Sequence, residues 1–320
     1  MIAAPDIDEL LSGPLGGWLG EQATVREDAK AQSAARWWKA AIYGLPVLAF
    51  FWIIIPGLFD LKMWGSVALG GLAFAWGNMP RRRAIKQTKI GINDAIAGAL
   101  ELGYAHDVEP GQAFALAQAY KMVPHYDRSR FEDHWFGEVG GRGFGLHEAH
   151  LKERRNSGKN TRYVTVFRGV VMHIDFARDF HGTTLVERAD KHRKMLGLGG
   201  RKDSVKFDGH ELAYVDMVHP DFDDAFRVFS DDQVEARYLV HPGYVERLLE
   251  VQRAFRGKNV RAIFSGGELV IVMETENLFE SGSIEARDDR ARIERTVAQF
   301  VSLANLAQSL NETERGFAAA

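Results

Sequence analysis

The chain has no cysteine in its 320 residues. Disulfides, thiolate zinc sites, cysteine-ligated iron–sulfur clusters and thiol nucleophiles are thereby excluded, and the composition fits a reducing compartment. A dominant charge is also missing. Forty Lys and Arg against 43 Asp and Glu give a formal net charge of -3, too near neutral to argue for bulk nucleic-acid binding. The first roughly 30 residues lack the basic stretch, short apolar run and small-residue cleavage site of a secretory signal. No G-x-S-x-G elbow and no G-x-x-x-x-G-K-[ST] phosphate loop is present. There is no internal repeat, and no heptad run long enough for a coiled coil.

What the sequence does have is a local apolar extreme that its mean hydropathy of -0.21 conceals. Ala40 to Phe59 reads AAIYGLPVLAFFWIIIPGLF, 20 residues without a charge. At a rise of ~1.5 Å per residue, about 20 helical residues match a hydrocarbon core of ~30 Å. Trp37, Trp38 and Tyr43 lie at one end, where amphipathic rings favour the headgroup region. Asp60, Leu61 and Lys62 then make a short break, and Met63 to Met79 is again uncharged. This second run is rich in small residues, Gly65, Gly70, Gly71 and Gly77 among them, which let membrane helices approach closely. Gly70 and Gly71 would equally permit packing between copies in a homo-oligomer. The reading is a two-helix transmembrane hairpin over residues 37–80, reversing at Asp60–Lys62. A buried hairpin in a soluble core and a re-entrant hairpin are the alternatives. Arg36 and Lys39 precede it, and Arg81, Arg82 and Arg83 follow. Both basic flanks belong on the cytoplasmic side by the positive-inside rule, placing the protein in the inner membrane with both termini cytoplasmic. The flank after Pro80 would also attract anionic headgroups.

Around the hairpin, residues 1–36 read as a cytoplasmic arm, 81–312 as a cytoplasmic α+β domain and 313–320 as a disordered tail. Apolar spacing predicts helix from residue 84, a turn at Glu109-Pro110-Gly111 and a second helix through Met122. Gly137 to Gly145 reads as a flexible connector. Arg162 to Phe176 reads as two strands broken at Arg168-Gly169, and Thr183 to Glu187 as a further strand. Asp190 to Asp203 reads as an exposed loop. Val205–Phe207, Phe226–Ser230 and, less clearly, Glu235–Val240 read as strands, the last running into a turn at His241-Pro242-Gly243. A helix follows over Tyr244–Arg256, then a hairpin of Val260–Phe264 and Glu268–Glu274 about Ser265-Gly266-Gly267. Arg287 to Leu310 forms an amphipathic helix with Ile293, Val297, Phe300, Val301 and Ala304 on one stripe. The expected fold is a mixed or antiparallel sheet with flanking helices.

Two blocks, VFRGVVMHIDFARDFHGTTLV (Val166 to Val186) and FRVFSDDQVEARYLVHPGYVERL (Phe226 to Leu248), carry a pattern of F-R-G, then F-x-G-x-T, then D-x-x-E-A-R-Y. Phe167, Arg168, Gly169, Phe180, Gly182, Thr184, Asp232, Glu235, Ala236, Arg237, Tyr238 and Pro242 supply it. In these residues the chain resembles a bacterial family of uncharacterised membrane proteins, catalogued as domain of unknown function thirty-one thirty-seven. The resemblance implies a pair of membrane helices ahead of this domain, and no established activity. By association it suggests a LemA-like membrane protein as partner.

Candidate chemistry is sparse. His147, Glu148 and His150 form H-E-x-H, one residue short of the H-E-x-x-H spacing that puts two histidines on one helix face. In a strand, Glu148 and His150 would share a face and His147 would point away. Asp232, Glu235 and Arg237 are the candidate functional surface, with Asp232 expected to cap a short helix and pair with Arg237. The aromatic residues fit a core better than a base-stacking platform. No catalytic residue, metal site or cofactor is assigned. The expected role is a membrane-anchored interaction or scaffold protein, with a hydrolase-like enzyme or a small-ligand sensor as alternatives.

Overall fold

The structure is a computed structural model that describes residues 4–54, 57–157, 160–176, 181–189, 203–207, 209–217 and 226–312. These residues fall into two compact units. One is helical, Pro5–Ile96 with Glu280–Arg295; the other holds the sheet, Ala97–Phe279 with the chain from Thr296 onward.

In the helical unit, α1 (Ile7–Ser12) starts at Asp6, whose carboxylate accepts the amides of Asp8 and Glu9. Two 41-residue helices follow, α2 (Pro14–Ile54) and α3 (Phe59–Ala99). The apolar runs are therefore the tips of long helices rather than separate segments. The reversal is also displaced from its expected place at Asp60–Lys62. Gly57 and Leu58 take left-handed φ values of 75° and 53°, and Asp60 already lies in the first turn of α3. The left-handed backbone at Gly57 supplies the break, and an acidic side chain suits a helix N-terminus. Among the described residues, no helix is long and apolar enough to cross a membrane. The described charge-free part of α2, Ala40 to Ile54, is 15 residues, about 22 Å.

Away from the tip, the helical unit is closed by residues 280–295. Arg26, 1% exposed, forms a bidentate pair with the carboxylate of Asp289 at 2.6 and 2.7 Å. Lys89 pairs with Glu280 at 2.9 Å, and the Ser281 hydroxyl donates to Asn93 at 2.7 Å. Gly282 is pressed against the Ile85 carbonyl, where a Cβ would lie 2.4 Å away.

The second unit is a ten-stranded sheet with order β1-β2-β3-β4-β10-β9-β5-β8-β7-β6. Its strands are β1 (Gly103–Asp107), β2 (Arg128–Val139), β3 (Arg142–Ser157), β4 (Asn160–Asp175), β5 (Thr184–Arg188), β6 (Ser204–Phe207), β7 (His210–Val215), β8 (Phe226–Ser230), β9 (Lys258–Ser265) and β10 (Glu268–Glu274). Every pairing among the described strands is antiparallel. Helix α4 (Gln112–Ala119) covers one face, with Phe114 and Ala117 against Phe131, Ala149, Leu151 and Phe167. Helices α5 (Gln233–Leu239), α6 (Pro242–Ala254) and α7 (Asp289–Glu312) follow, the last preceded by a 3-10 turn at Ala286–Asp288. On the other face, Phe300 of α7 meets Trp135 and Phe144, and Tyr244 of α6 meets Phe264. Cover on both faces explains why β10 reads as an unbroken run, LVIVM, instead of alternating.

Several expectations change here. Gly137–Gly145 is not a connector. Gly140 and Gly141, at φ 63° and 74°, make the tight turn between the long strands β2 and β3. Arg168-Gly169 does not break the strand, because β4 runs straight through it. Gly169 is needed where β10 comes close: a Cβ there would lie 2.0 Å from the Met273 carbonyl oxygen. Glu235–Val240 belongs to helix α5, not to a strand. Strand β1 replaces the end of the helix read from residue 84. The Asp190–Asp203 loop, apart from Asp203, and the 313–320 tail lie outside the described residues.

Candidate functional site

The two motif blocks meet in space. Asp232 is the N-cap of α5, accepting the amides of Val234 and Glu235, both at 2.9 Å. Its neighbours hold the segment before β5. Asp231 accepts the Thr183 amide at 2.6 Å, and Glu235 accepts those of His181 and Gly182 at 3.2 and 2.8 Å. Gly182 is required by this embrace, since a Cβ would lie 2.6 Å from Asp231 and 3.0 Å from Glu235. The glycine of F-x-G-x-T and the acids Asp231 and Glu235 are therefore two halves of one clamp, with Asp232 capping the helix that carries Glu235. The pairing expected between Asp232 and Arg237 is replaced: the Arg237 guanidinium donates to the Asp216 carbonyl at 3.2 Å and reaches Gln233. Phe180, in the same motif, lies outside the described residues.

H-E-x-H lies in β3, as its strand alternative required. Glu148 accepts the Leu278 amide at 2.9 Å, while His150 Nε2 contacts the Thr165 hydroxyl at 2.8 Å. His147 points to the opposite face, into the aromatic core beside Phe114 and Phe131. Burial, with His134 and His173 nearby, lowers its pKa to about 4. These three histidines, on β2, β3 and β4, are a grouping that the sequence does not announce.

The helical tip has a different surface. Nineteen of the 24 large apolar or aromatic side chains exposed among the described residues lie between Trp37 and Met79, with Ile53 80% and Tyr43 71% exposed. A patch of this extent is larger than a soluble monomer's surface ordinarily carries. Its internal contacts are few but specific. Trp37 packs on Gly77, Phe51 on Gly65, and Ser33 donates to the Gly77 carbonyl at 2.7 Å. Nothing lies within 4 Å of a Cβ at Gly70 or Gly71. Lys62, only 6% exposed, donates to the Trp52 carbonyl at 3.1 Å and lies over the Trp52 ring. The basic residues of the flank are at the other end. Arg36 donates to the Trp76 carbonyl and stacks on its ring, Arg82 lies over Phe74, and Arg36 and Arg83 line a groove of about 250 Å³ with Pro80. Lys39 and Arg81 are exposed.

A cleft of about 950 Å³ opens in the sheet unit between Lys121–His125 and β6, lined by Glu187, Asp203, Lys206 and Phe207.

Comparison with known proteins supports the family. Residues 165–312 match the family model described as "Protein of unknown function (DUF3137)", the family that the two blocks resemble. No curated protein matches. Among solved structures, the chain is similar to the crystal structure of the mycobacterial trehalose monomycolate transport factor A, TtfA. Identity is 12%, the TM-score is 0.33, and the match covers 70% of this chain and 96% of that one. The chain's own elements give a mixed helix and antiparallel-sheet fold with an N-terminal helical region, and residues 165–312 are a domain of unknown function.

Proposed function

We propose that this protein is a membrane-anchored interaction protein, held in a lipid bilayer by its apolar hairpin. The exposed apolar surface between Trp37 and Met79 is the observation that carries the reading. Even at about 1 kcal/mol for each of those side chains, moving them from water into lipid releases on the order of 20 kcal/mol. The aromatic and basic residues at the base of the tip fit a headgroup layer, with Arg36, Lys39, Arg81, Arg82 and Arg83 on the cytoplasmic side of the inner membrane. The clamp made by Asp231 and Glu235, on the helix that Asp232 caps, would give the sheet unit a fixed surface for a protein partner, a LemA-like membrane protein being the first candidate.

The test uses floated liposomes and carbonate-washed membranes. The full chain should float with anionic vesicles and stay in the carbonate pellet. Ile53→Glu combined with Leu72→Glu should release it without unfolding, since both side chains are exposed. Retention of that variant on vesicles would refute the anchor. The absence of native cysteine allows single-cysteine labelling. A thiol at Gly57 labelled from outside the cell indicates crossing, and one protected from both sides indicates a re-entrant hairpin. Co-purification from gently solubilised membranes should then yield a stoichiometric partner that is lost on Glu235→Ala.

The 950 Å³ cleft supports a second reading, a sensor of a small charged ligand. A metabolite that raises the melting temperature of the wild type but not of Lys206→Ala would favour it.

A further inference from the structure

We propose that His106, Asp107 and Glu132 form a binding site for a divalent metal ion of the zinc type. The site lies where the edge strand β1 meets β2. Asp107 and Glu132 stand directly opposite each other in the antiparallel register. Like charges in that position repel unless something positive lies between them. His106 is beside them, with its side chain only 7% exposed.

Hydrogen bonding fixes which ring nitrogen faces the acids. Asp133, 1% exposed and held at φ 55° in the bulge of β2, accepts the Tyr104 hydroxyl at 2.6 Å. Its carboxylate also meets His106 Nδ1 at 3.2 Å. A carboxylate only accepts, so Nδ1 is the protonated nitrogen toward Asp133, and Nε2 is the ring atom turned toward the other two acids. Nε2 is buried and has no hydrogen-bond partner. Two carboxylate oxygens lie beside it, Glu132 Oε1 at 3.6 Å and Asp107 Oδ1 at 3.9 Å. One imidazole nitrogen and two carboxylates thus converge on one point, where a cation would be held by all three.

The geometry suits a small ion. The three ligand atoms lie within 4.8 Å of one another. Tetrahedral coordination with bonds of about 2.0–2.1 Å needs neighbouring ligands roughly 3.3 Å apart, so the Nε2–oxygen distances of 3.6 and 3.9 Å must close by about 0.3 and 0.6 Å. One imidazole and two carboxylates form a nitrogen–oxygen set with at least one position open to solvent. Asp133 supplies the outer carboxylate that orients a metal-binding histidine and raises its basicity, and Tyr104 holds Asp133. Asp107, 74% exposed, gives an entry route. Arg130 pairs with Glu132 from the solvent side and is the natural competitor of the ion.

The experiment is a titration of the chelator-stripped full chain, purified on a histidine-free tag, with Zn²⁺ by calorimetry and Co²⁺ by visible absorption. One ion per chain is expected, with cobalt bands of a tetrahedral or five-coordinate nitrogen–oxygen site. His106→Ala should weaken binding at least 100-fold, Asp133→Asn 10- to 100-fold, and Arg130→Gln should tighten it. Asp107→Asn is a surface change that leaves the fold intact, so a tenfold loss there supports the site even if His106→Ala unfolds. No uptake by the wild type, or equal affinity in Asp107→Asn and in a folded His106→Ala, overturns the proposal.

Discussion

Breaking the Arg26–Asp289 pair should unseat residues 280–295 from the helical unit. Both side chains are buried, 1% and 8% exposed, and the two N–H···O contacts are short. Removing one member of a buried ion pair typically costs about 3–5 kcal/mol, because the survivor keeps its charge without its counter-ion. In Asp289→Leu, the stranded guanidinium retains carbonyl contacts at Gln22, Ser283 and Leu19, between 3.2 and 3.5 Å. This places the cost near the lower end, about 3 kcal/mol. Arg26→Met strands a carboxylate instead. The double variant Arg26→Met with Asp289→Leu buries no charge and should recover most of the loss. Hydrogen exchange read by mass spectrometry on peptides from 19–30 and 283–295 measures this locally. A loss of about 3 kcal/mol corresponds to exchange roughly 150-fold faster, at 1.36 kcal/mol per tenfold. Asp8→Asn is the control, since the Arg290–Asp8 pair is 54% and 77% exposed and should barely change protection. Additive losses in the double variant, or less than fivefold faster exchange in Asp289→Leu, would refute the reasoning.

Three further outcomes are expected. Gly169→Ala should destabilise the sheet unit by at least 1–3 kcal/mol in chemical denaturation, because the atoms that would meet the new Cβ belong to the β10 backbone and cannot rotate away. His147 is held neutral in the folded chain, its pKa lowered from 6.5 to about 4. The unfolded chain therefore binds the extra proton first, and the stability contribution, complete above pH 6.5, is lost as pH falls toward 4. The full loss is about 3 kcal/mol, and His147→Leu should flatten the pH dependence of sheet-unit melting between pH 7 and 5. Glu235→Ala leaves the His181 and Gly182 amides without their acceptor, and should speed hydrogen exchange at those two residues while sparing β10.

Regular periodicity was the most legible part of the sequence. The hairpin at Ser265-Gly266-Gly267 and the helix near Arg287–Leu310 follow from local chemistry, and both are present, as β9–β10 and α7. Where a glycine serves a distant neighbour, local reading fails: Gly169 looks like a turn residue, and only the approach of β10, about 100 residues later, reveals its purpose. The acids of the second motif were visible as a cluster, yet their partners are backbone amides at 181–183, which leave no trace in residue types. His106 and Asp133 were missed for a similar reason. They are 27 positions apart, and a bulge, not a spacing rule, joins them.

Lys62 has a consequence for how the helical tip can be used. Its ammonium neutralises the exposed carbonyl end of α2 at Trp52, while Trp52 in turn donates to Ser66 on α3. The one cation in the tip is thus already spent on closing it. The tip's remaining ionisable side chain, Asp60, is exposed at the reversal, so a change of solvent along the flanks of the hairpin, from water to hydrocarbon, would leave Lys62 already partnered.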